Sequence, residues 1–326
     1  MISLNNIRPT VVTDLEVARE RWNALNSVNV ASSPFTDFEL TLALAQSFGW
    51  QLTPVFWGEH LGACFLVRSR AWATDIVVPP FAPYSCIALS ESIPEAERPA
   101  FLERIFDDVE GLPYSRVISL DPRLCFSESR PDTYACAPKQ TFSIPTSPLE
   151  KAISAFSEST RRQFNRSKED LIFQTNNLSV SNLCEMVAAG YEHHGRRAPL
   201  SREKMEAMAA AVSGFTLARQ LGVFDVRTNE LQAGIVLLLN NTTAWYWLAG
   251  SERGPAMTVL LAHTIHFLHE QNVGHFDLMG ANTDGISEFK RRFGGILIQY
   301  RHWQRLNWSN RFVSVLGQFK RLVRSL

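Results

Sequence analysis

The sequence has no excess of charge of either sign. Its 326 residues include 32 Lys and Arg against 32 Asp and Glu, so the formal net charge is zero. A protein that coats nucleic acid is basic overall, and we therefore predict no DNA partner. Hydrophobic residues make up 45% and charged residues 20%, which is typical of a globular chain with one large domain or two smaller ones.

Cysteine is scarce, and long apolar runs are missing. The five cysteines form an odd set without CxxC spacing, which excludes a disulfide scaffold and a structural zinc site. We predict reduced core thiols and no metal site. The longest apolar run, residues 233–239, is far shorter than the roughly 20 residues of a membrane helix. No apolar signal segment follows Met1, so we expect a cytoplasmic protein.

Helical and extended patterns alternate along the chain, which predicts an α+β fold with mixed sheets. Helices are predicted at 15–26, 38–48, 94–112, 149–170, 181–194, 201–221, 256–271 and 286–293. Strands are predicted at 53–57, 62–69, 116–120, 223–227, 232–239, 244–248, 275–279 and 296–300.

The two halves repeat one rhythm of helices, a hairpin, a helix and a strand. The hairpin at 53–69 parallels the one at 223–239, which indicates a tandem duplication. Residues 127–148 are rich in Ser, Pro and Thr, so we place the domains at 1–148 and 149–326. Alternatively, the last helix of the chain belongs to the second domain in sequence but packs on the first.

Three features suggest binding sites. A strand enters a Gly-containing loop before the helix at 256, and a helix start of this kind binds anions such as a pyrophosphate. Arg161 and Arg162 give one helix a basic face for an anionic acceptor or the donor's phosphates. Phe35 and Tyr84, in Ser- and Pro-rich loops, are candidates for the wall of an acceptor pocket. The alternatives are an ordinary helix start, a solvated basic face and simple packing.

One stretch is distinctive. Phe276-Asp-Leu-Met-Gly280, followed by Asp284-Gly-Ile-Ser-Glu-Phe-Lys-Arg-Arg-Phe-Gly294 and Tyr300, resembles the C-terminal signature of the FemAB-like, or BioF-like, branch of the GNAT acyltransferases. The Phe-Lys-x-x-Phe-Gly core is its most specific part. The segment from Ser33-Pro-Phe35 to Trp50 and the basic helix around Arg161 fit the same family, so the resemblance covers nearly the whole chain.

This resemblance implies tandem GNAT-like domains, each a mixed, largely antiparallel sheet flanked by helices, with a cleft between them. The implied reaction moves an acyl group from a thioester, with acyl-CoA as a cosubstrate that is not tightly bound, to an amine of a small molecule, sugar or lipid precursor. The loop at 251–256 is shorter than in the clearer family members and contains an acid. Aminoacyl transfer from tRNA is less expected, because the chain has no long charged helical arm. A ligand-binding duplicate without catalysis is a further alternative.

The resemblance also implies roles for single residues. The donor site takes Leu248 and Ala249 on a splayed strand, together with Ser251, Arg253, Gly254 and Ala256. Asp277 accepts the proton of the attacking ammonium, and Tyr300 protonates the leaving thiolate. Lys290 neutralises donor phosphate or the developing charge on the acyl oxygen. The structural alternatives are a capping or paired Asp277, a packed Tyr300 and an exposed Lys290.

The last segment, 301–326, carries basic residues between apolar ones at helical spacing. An amphipathic helix of this kind binds an anionic membrane surface, and we expect either such a peripheral contact or docking on the first half.

Overall fold

The computed structural model describes residues 7–70, 73–124, 133–193 and 195–306. The chain divides into unit 1, Met1–Pro138 with Tyr300–Leu326, and unit 2, Lys139–Gln299. The amphipathic helix predicted at 301–326 is wrong at its start, because residues 301–305 continue the last strand. Residues 307–326 and Cys125 lie outside the described residues. Across the described ranges, no helix has the length and apolar character that a membrane crossing requires.

Within the described residues, unit 1 contains three α-helices and one set of sheet strands. Its strands are β1 (Pro9–Val11), β2 (Gln51–Trp57), β3 (Leu61–Arg70), β4 (Ala73–Val77), β5 (Cys86–Leu89) and β6 (Ser115–Ser119), and its helices are α1 (Leu15–Asn26), α2 (Phe38–Phe48) and α3 (Arg98–Glu103). The strand order is β1-β2-β3-β4-β6, closed by β13 (Ile296–Arg305), while β5 pairs with β3 beside β4. All pairs are antiparallel except β4 with β6.

Unit 2 contains the second set of sheet strands and the other six α-helices of the described chain. Its elements are β7 (Ala135–Pro145), α4 (Leu149–Ser154), α5 (Glu158–Ser167), β8 (Leu171–Thr175), α6 (Val180–His193), α7 (Arg202–Ser213), β9 (Ala218–Asp225), β10 (Leu231–Leu239), β11 (Thr243–Ser251), α8 (Ala256–Glu270), β12 (His275–Asp277) and α9 (Asp284–Arg291). The strand order is β8-β9-β10-β11-β12-β7. Only β11 and β12 are parallel.

The strands of the two units follow one topology. In each, four antiparallel strands are followed by a parallel fifth and an antiparallel sixth. The hairpin β2–β3 and the hairpin β9–β10 both supply the second and third strands, as the duplication hypothesis requires. The sixth strand comes from late in the chain in unit 1 and from before the other strands in unit 2. The predicted fold class, mixed and largely antiparallel sheet strands with flanking helices in each half, is confirmed.

Helices pack against the strands of unit 2 and bury them. Helix α8 is buried along most of its length because its residues 259–262 and Ile265 face the core. Gly250 on β11 lies under α6, where an added Cβ would meet Met186 Cβ at 2.8 Å. A side chain at this position would push α6 away from the strand, so glycine sets their spacing.

Several predicted boundaries are wrong. The helix expected at 94–112 is a short α3 between 3₁₀ turns that end at Phe106. The helix expected at 149–170 breaks into α4 and α5, because the Ser157 side chain caps α5 by accepting from Thr160 N. The helix expected at 201–221 ends at Ser213, since residues 218–221 pair with β10 instead. The Ser- and Pro-rich stretch before 148 contains the strand β7. This stretch is polar, and it forms a strand because it pairs with β12.

Candidate functional site

Strand β11 diverges from its parallel neighbour within unit 2. The two strands pair only at Thr243, Ala244 and Trp245, where β12 ends at Asp277. β11 continues to Ser251, still paired with β10 on its other side. Residues 246–251 therefore have one edge that no strand occupies in the described chain. A free edge presents backbone N–H and C=O groups to any extended ligand that enters the gap.

A β-bulge lies where the divergence starts. Leu248 pairs with Val236, but the next pair joins Tyr246 to Leu237, so Trp247 is the extra residue on β11. A bulge bends its strand and increases the local twist, which directs β11 away from β12. Leu248 is buried and Ala249 half-buried, and both follow the bulge on the free edge, where the donor was expected.

The loop after β11 leads directly into α8. Ala256 is the first residue of this helix, and Gly254 has φ +122°, a backbone conformation that side-chain-bearing residues rarely adopt. Arg253 is exposed, and its guanidinium lies 2.7 Å from His193 Nδ1 at the end of α6. Ser251, at the end of β11, is half-buried. The free N–H groups of the first helical turn thus lie at the open end of the gap.

Asp277 ends β12 and faces the interior of unit 2. The side chain is 7% exposed, and its Oδ1 accepts from Thr141 Oγ1 and, at 2.7 Å, from the backbone N of Met279. Met279 has φ +52° and Gly280 φ +34°, so two consecutive residues adopt left-handed conformations. For methionine that conformation is strained, and the surrounding contacts must hold it.

Lys290 supplies those contacts. Its Nζ donates to the carbonyl oxygens of Leu278 at 2.6 Å, Met279 at 2.7 Å and Gly280 at 3.3 Å. These three acceptors match the three donors of an ammonium group. The side chain is 6% exposed, and burial lowers the Lys290 pKa to about 8 although the Asp277 carboxylate favours the charged form. The expectation that this ammonium extends outward to a phosphate is therefore wrong, because three backbone carbonyls hold it inside.

The same ammonium lies 4.7 Å from the ring centroid of Tyr246, the first β11 residue beyond the last pair with β12. Burial raises the pKa of the Tyr246 phenol, whose hydroxyl contacts the Met257 sulfur in α8. Lys290 thus connects the strained loop after β12 with the diverging part of β11. We refer to Lys290 and the backbone of residues 278–280 as the lysine clamp.

The rest of the Phe-Lys-x-x-Phe-Gly motif anchors this clamp. Phe293 is fully buried and packs edge-on against Phe156 and Phe289, with both pairs of ring centroids 5.2 Å apart. Gly294 has φ +72°, and a Cβ there would lie 2.4 Å from Ala155 O. The motif therefore fixes α9 against the end of α4, and with it the position of Lys290.

The basic helix α5 is more internally paired than expected. Arg161 donates to the carbonyls of Ser154 at 2.6 Å and Phe156 at 2.9 Å, so it caps the end of α4. Arg162 is exposed and forms an ion pair with Glu158. Gln163 accepts from Thr258 Oγ1 at 2.9 Å, which places α5 beside the first turn of α8.

The remaining predicted residues cluster in unit 1. Phe35 and Tyr84, each 4% exposed, pack edge-on with ring centroids 6.2 Å apart, and Tyr300 packs against Tyr84 at 5.1 Å. Phe35 and Tyr84 line a cavity of about 20 Å³. Such a volume suits roughly one water or a small group.

Some functional features were missed from the sequence. Tyr246 and Thr141 contact Lys290 and Asp277 respectively, and no motif marks either of them. The bulge at Trp247 has no sequence signal, since Trp245-Tyr-Trp247 fits a regular strand equally well. The left-handed backbone of Met279 has no sequence signal either.

Comparisons with known proteins identify a matching domain family for part of the chain and similar folds for most of it. Residues 154–291 match the Acetyltransferase (GNAT) domain family. A comparison with curated proteins finds no match. The fold is similar to that of FemX, with 12% identity and a TM-score of 0.61 over 90% of this chain and 97% of that one.

Two further solved structures share the fold. A conserved protein of unknown function from Bacteroides thetaiotaomicron VPI-5482 has 10% identity and a TM-score of 0.57 over 92% of this chain and all of that one. The C-terminal domain of a putative lysylphosphatidylglycerol synthetase from Agrobacterium fabrum has 10% identity and a TM-score of 0.51, over 92% of this chain and 96% of that one. The resemblance stated from the sequence is confirmed at the level of the fold and of the GNAT domain.

Proposed function

We propose, from the GNAT acetyltransferase domain at residues 154–291, that the chain is an N-acyltransferase that uses an acyl-CoA thioester as donor. The observation that carries the proposal is the gap beside β11, which opens at the bulge and ends at the first turn of α8. The free edge suits the extended pantetheine arm, and the helix N-terminus suits the diphosphate. Leu248 and Ala249 lie along the arm, and Ser251, Arg253, Gly254 and Ala256 surround the diphosphate.

The proposed reaction forms a C–N bond and breaks a C–S bond. The neutral amine attacks the thioester carbonyl carbon, a backbone N–H of the free edge stabilises the oxyanion, and the thiolate leaves. Asp277 takes the proton lost by nitrogen, and Tyr300 supplies the proton that the thiolate gains. Lys290 acts as a positioning residue in this proposal, because its three carbonyl bonds fix the backbone next to Asp277.

We propose a small-molecule, sugar or lipid-precursor amine as acceptor, with Arg162 as a candidate for an anionic group. Phe35 and Tyr84 pack together around a cavity of about 20 Å³, which is too small for such an acceptor. Arg161 is a weaker candidate, since it already caps α4. Transfer of an aminoacyl group from tRNA is the alternative. The similar folds of FemX and the lysylphosphatidylglycerol synthetase domain do not decide between the donors, because identities of 10–12% establish the fold alone.

The test is a donor comparison on the full chain. Acetyl-CoA, longer acyl-CoAs and charged tRNA are each incubated with a panel of amines, and release of thiol or of uncharged tRNA is followed. We expect amine-dependent thiol release, and a rise of about 2.7 kcal/mol in unfolding free energy when acyl-CoA is at 100 times its dissociation constant. Turnover with charged tRNA alone would establish the alternative. Absence of binding and turnover with every donor would refute both and favour a ligand-binding duplicate without catalysis.

A further inference from the structure

Two cysteines face each other across neighbouring strands of unit 1, away from the proposed acyl-donor site. Cys64 on β3 and Cys86 on β5 are directly opposite partners in the antiparallel register. Both are free thiols and both are buried, with 3% and 7% of their surfaces exposed. Because opposite residues in a sheet point to the same face, the two sulfur atoms share one environment.

The separation of the two residues suits a covalent bond. Directly opposite residues of antiparallel strands have Cα atoms about 4.5–5.5 Å apart, which lies within the about 4.4–6.8 Å range of disulfides. Burial and the neighbouring Cys86 thiol raise the pKa of Cys64 well above its usual range. The strand register therefore holds the two residues opposite each other before any reaction.

Both residues also line a cavity. Cys64 and Cys86 line the cavity of about 20 Å³ between α2 and the loop before β5, together with Thr41 and Ser85. A volume near that of one water admits only a very small molecule. Within the described ranges, no set of three or more His, Cys, Asp and Glu side chains is arranged to hold a metal ion, so the pair lacks the further ligands that zinc requires.

We propose that Cys64 and Cys86 form an oxidation site at which a small hydroperoxide converts the facing thiols into a cross-strand disulfide. One thiol, as its thiolate, attacks a peroxide oxygen, which gives a sulfenic acid and one water from hydrogen peroxide. The second sulfur attacks the sulfenic sulfur, forms the S–S bond and releases a second water. Two thiols are oxidised, one peroxide is reduced, and the lost protons end in the two waters.

This oxidation site shares no residue with the proposed acyl-donor site. The scarce thiolate makes the first step slow, so the pair is not a general scavenger of peroxide. Selectivity comes instead from the small cavity and from the second thiol, which traps the sulfenic acid before further oxidation. The new bond closes a loop of about twenty residues and restricts the unfolded chain, so it should stabilise unit 1.

The test treats the folded full chain with hydrogen peroxide, blocks the remaining thiols in denaturant and maps every cysteine by peptide mass spectrometry. We expect a Cys64–Cys86 disulfide that a dithiol reductant reverses, with a higher melting temperature for the oxidised chain. Cys184, which is buried on α6, and half-buried Cys136 serve as internal comparisons. Cys64→Ala and Cys86→Ala should each abolish the disulfide and the temperature shift.

Three results would overturn the proposal. The first is that Cys64 and Cys86 stay reduced at peroxide concentrations that fully oxidise Cys136. The second is separate sulfinic acids at both positions, since facing sulfurs should couple first. The third is a disulfide that lowers the melting temperature, because that bond would have formed against the native strand geometry.

Discussion

Replacing Lys290 by methionine tests the lysine clamp. Methionine keeps a flexible apolar stem of similar length but removes all three donors. The carbonyls of Leu278 and Met279 belong to buried residues, whereas Gly280 is exposed and its carbonyl can bind water. A bond from a charged donor contributes roughly 1.5–3 kcal/mol, and a buried acceptor left unpaired costs about 1–3 kcal/mol.

Burial of the ammonium offsets part of this loss. The fall of the Lys290 pKa from 10.5 to about 8 corresponds to a cost of about 3 kcal/mol, which the variant no longer bears. Three such bonds exceed this offset, so the net expectation is a loss of roughly 2–6 kcal/mol in unfolding free energy, measured by urea denaturation at pH 7. Arg291→Met is the matched control, because Arg291 is exposed and pairs only with Glu288 on its own helix. It should change stability by less than about 0.5 kcal/mol.

The kinetic readout separates positioning from mere folding. At a temperature where both variants are folded, Lys290→Met should lower kcat about 10–100-fold, since small displacements of reacting groups cost that much. The KM for acyl-CoA should change little, because the ammonium does not reach the donor phosphates. Equal stability and equal kcat in the two variants would refute the clamp, and a large rise in KM with kcat unchanged would restore the phosphate role.

Three further predictions use the same region. Gly294→Ala should destabilise the chain by more than about 2 kcal/mol in urea denaturation, because the added Cβ would overlap the backbone oxygen of Ala155 at the end of α4. The control Gly285→Ala has open space around its Cβ and should be neutral or stabilising. A small loss of stability in Gly294→Ala would contradict the close packing. Arg253→Glu should weaken acyl-CoA binding about fivefold in calorimetry and Glu252→Gln should strengthen it, with both effects shrinking in high salt; no change in either would place the diphosphate elsewhere. Because the pKa of Lys290 is about 8 in the folded chain, the unfolded chain binds more protons than the folded chain between pH 8 and 10.5. The unfolding free energy of the wild type relative to Lys290→Met should therefore rise by about 3 kcal/mol over that window. A difference that does not change with pH would contradict the buried ammonium.

The fold could be predicted from local patterns further than the site could. Apolar spacing located α1 and α2 with their observed ends, and the repeated hairpin indicated two similar sheets. Pairing between distant segments was less visible. β7 lies in a stretch of polar composition, and β9 begins inside a helical pattern, because sheet neighbours far along the chain decide both.

The site shows the same limit. The sequence singled out Lys290 through its motif, and the two phenylalanines of that motif, Phe289 and Phe293, pack together in the structure. It could not show where the ammonium points, because that depends on the left-handed backbone at Met279, which has no sequence signature. A lysine at the edge of a buried face can extend outward or turn inward, and only the carbonyls of the loop after β12 decide between these.

The central claim is that an acyl-CoA donor lies in the gap beside β11. Hydrogen–deuterium exchange of the full chain, with and without a saturating acyl-CoA, tests it directly because the free edge consists of backbone amides. We expect slower exchange at residues 246–251 and in the first turn of α8, with little change in the β2–β3 hairpin of unit 1. Binding that leaves the amides of 246–251 and of this turn unprotected would contradict the account.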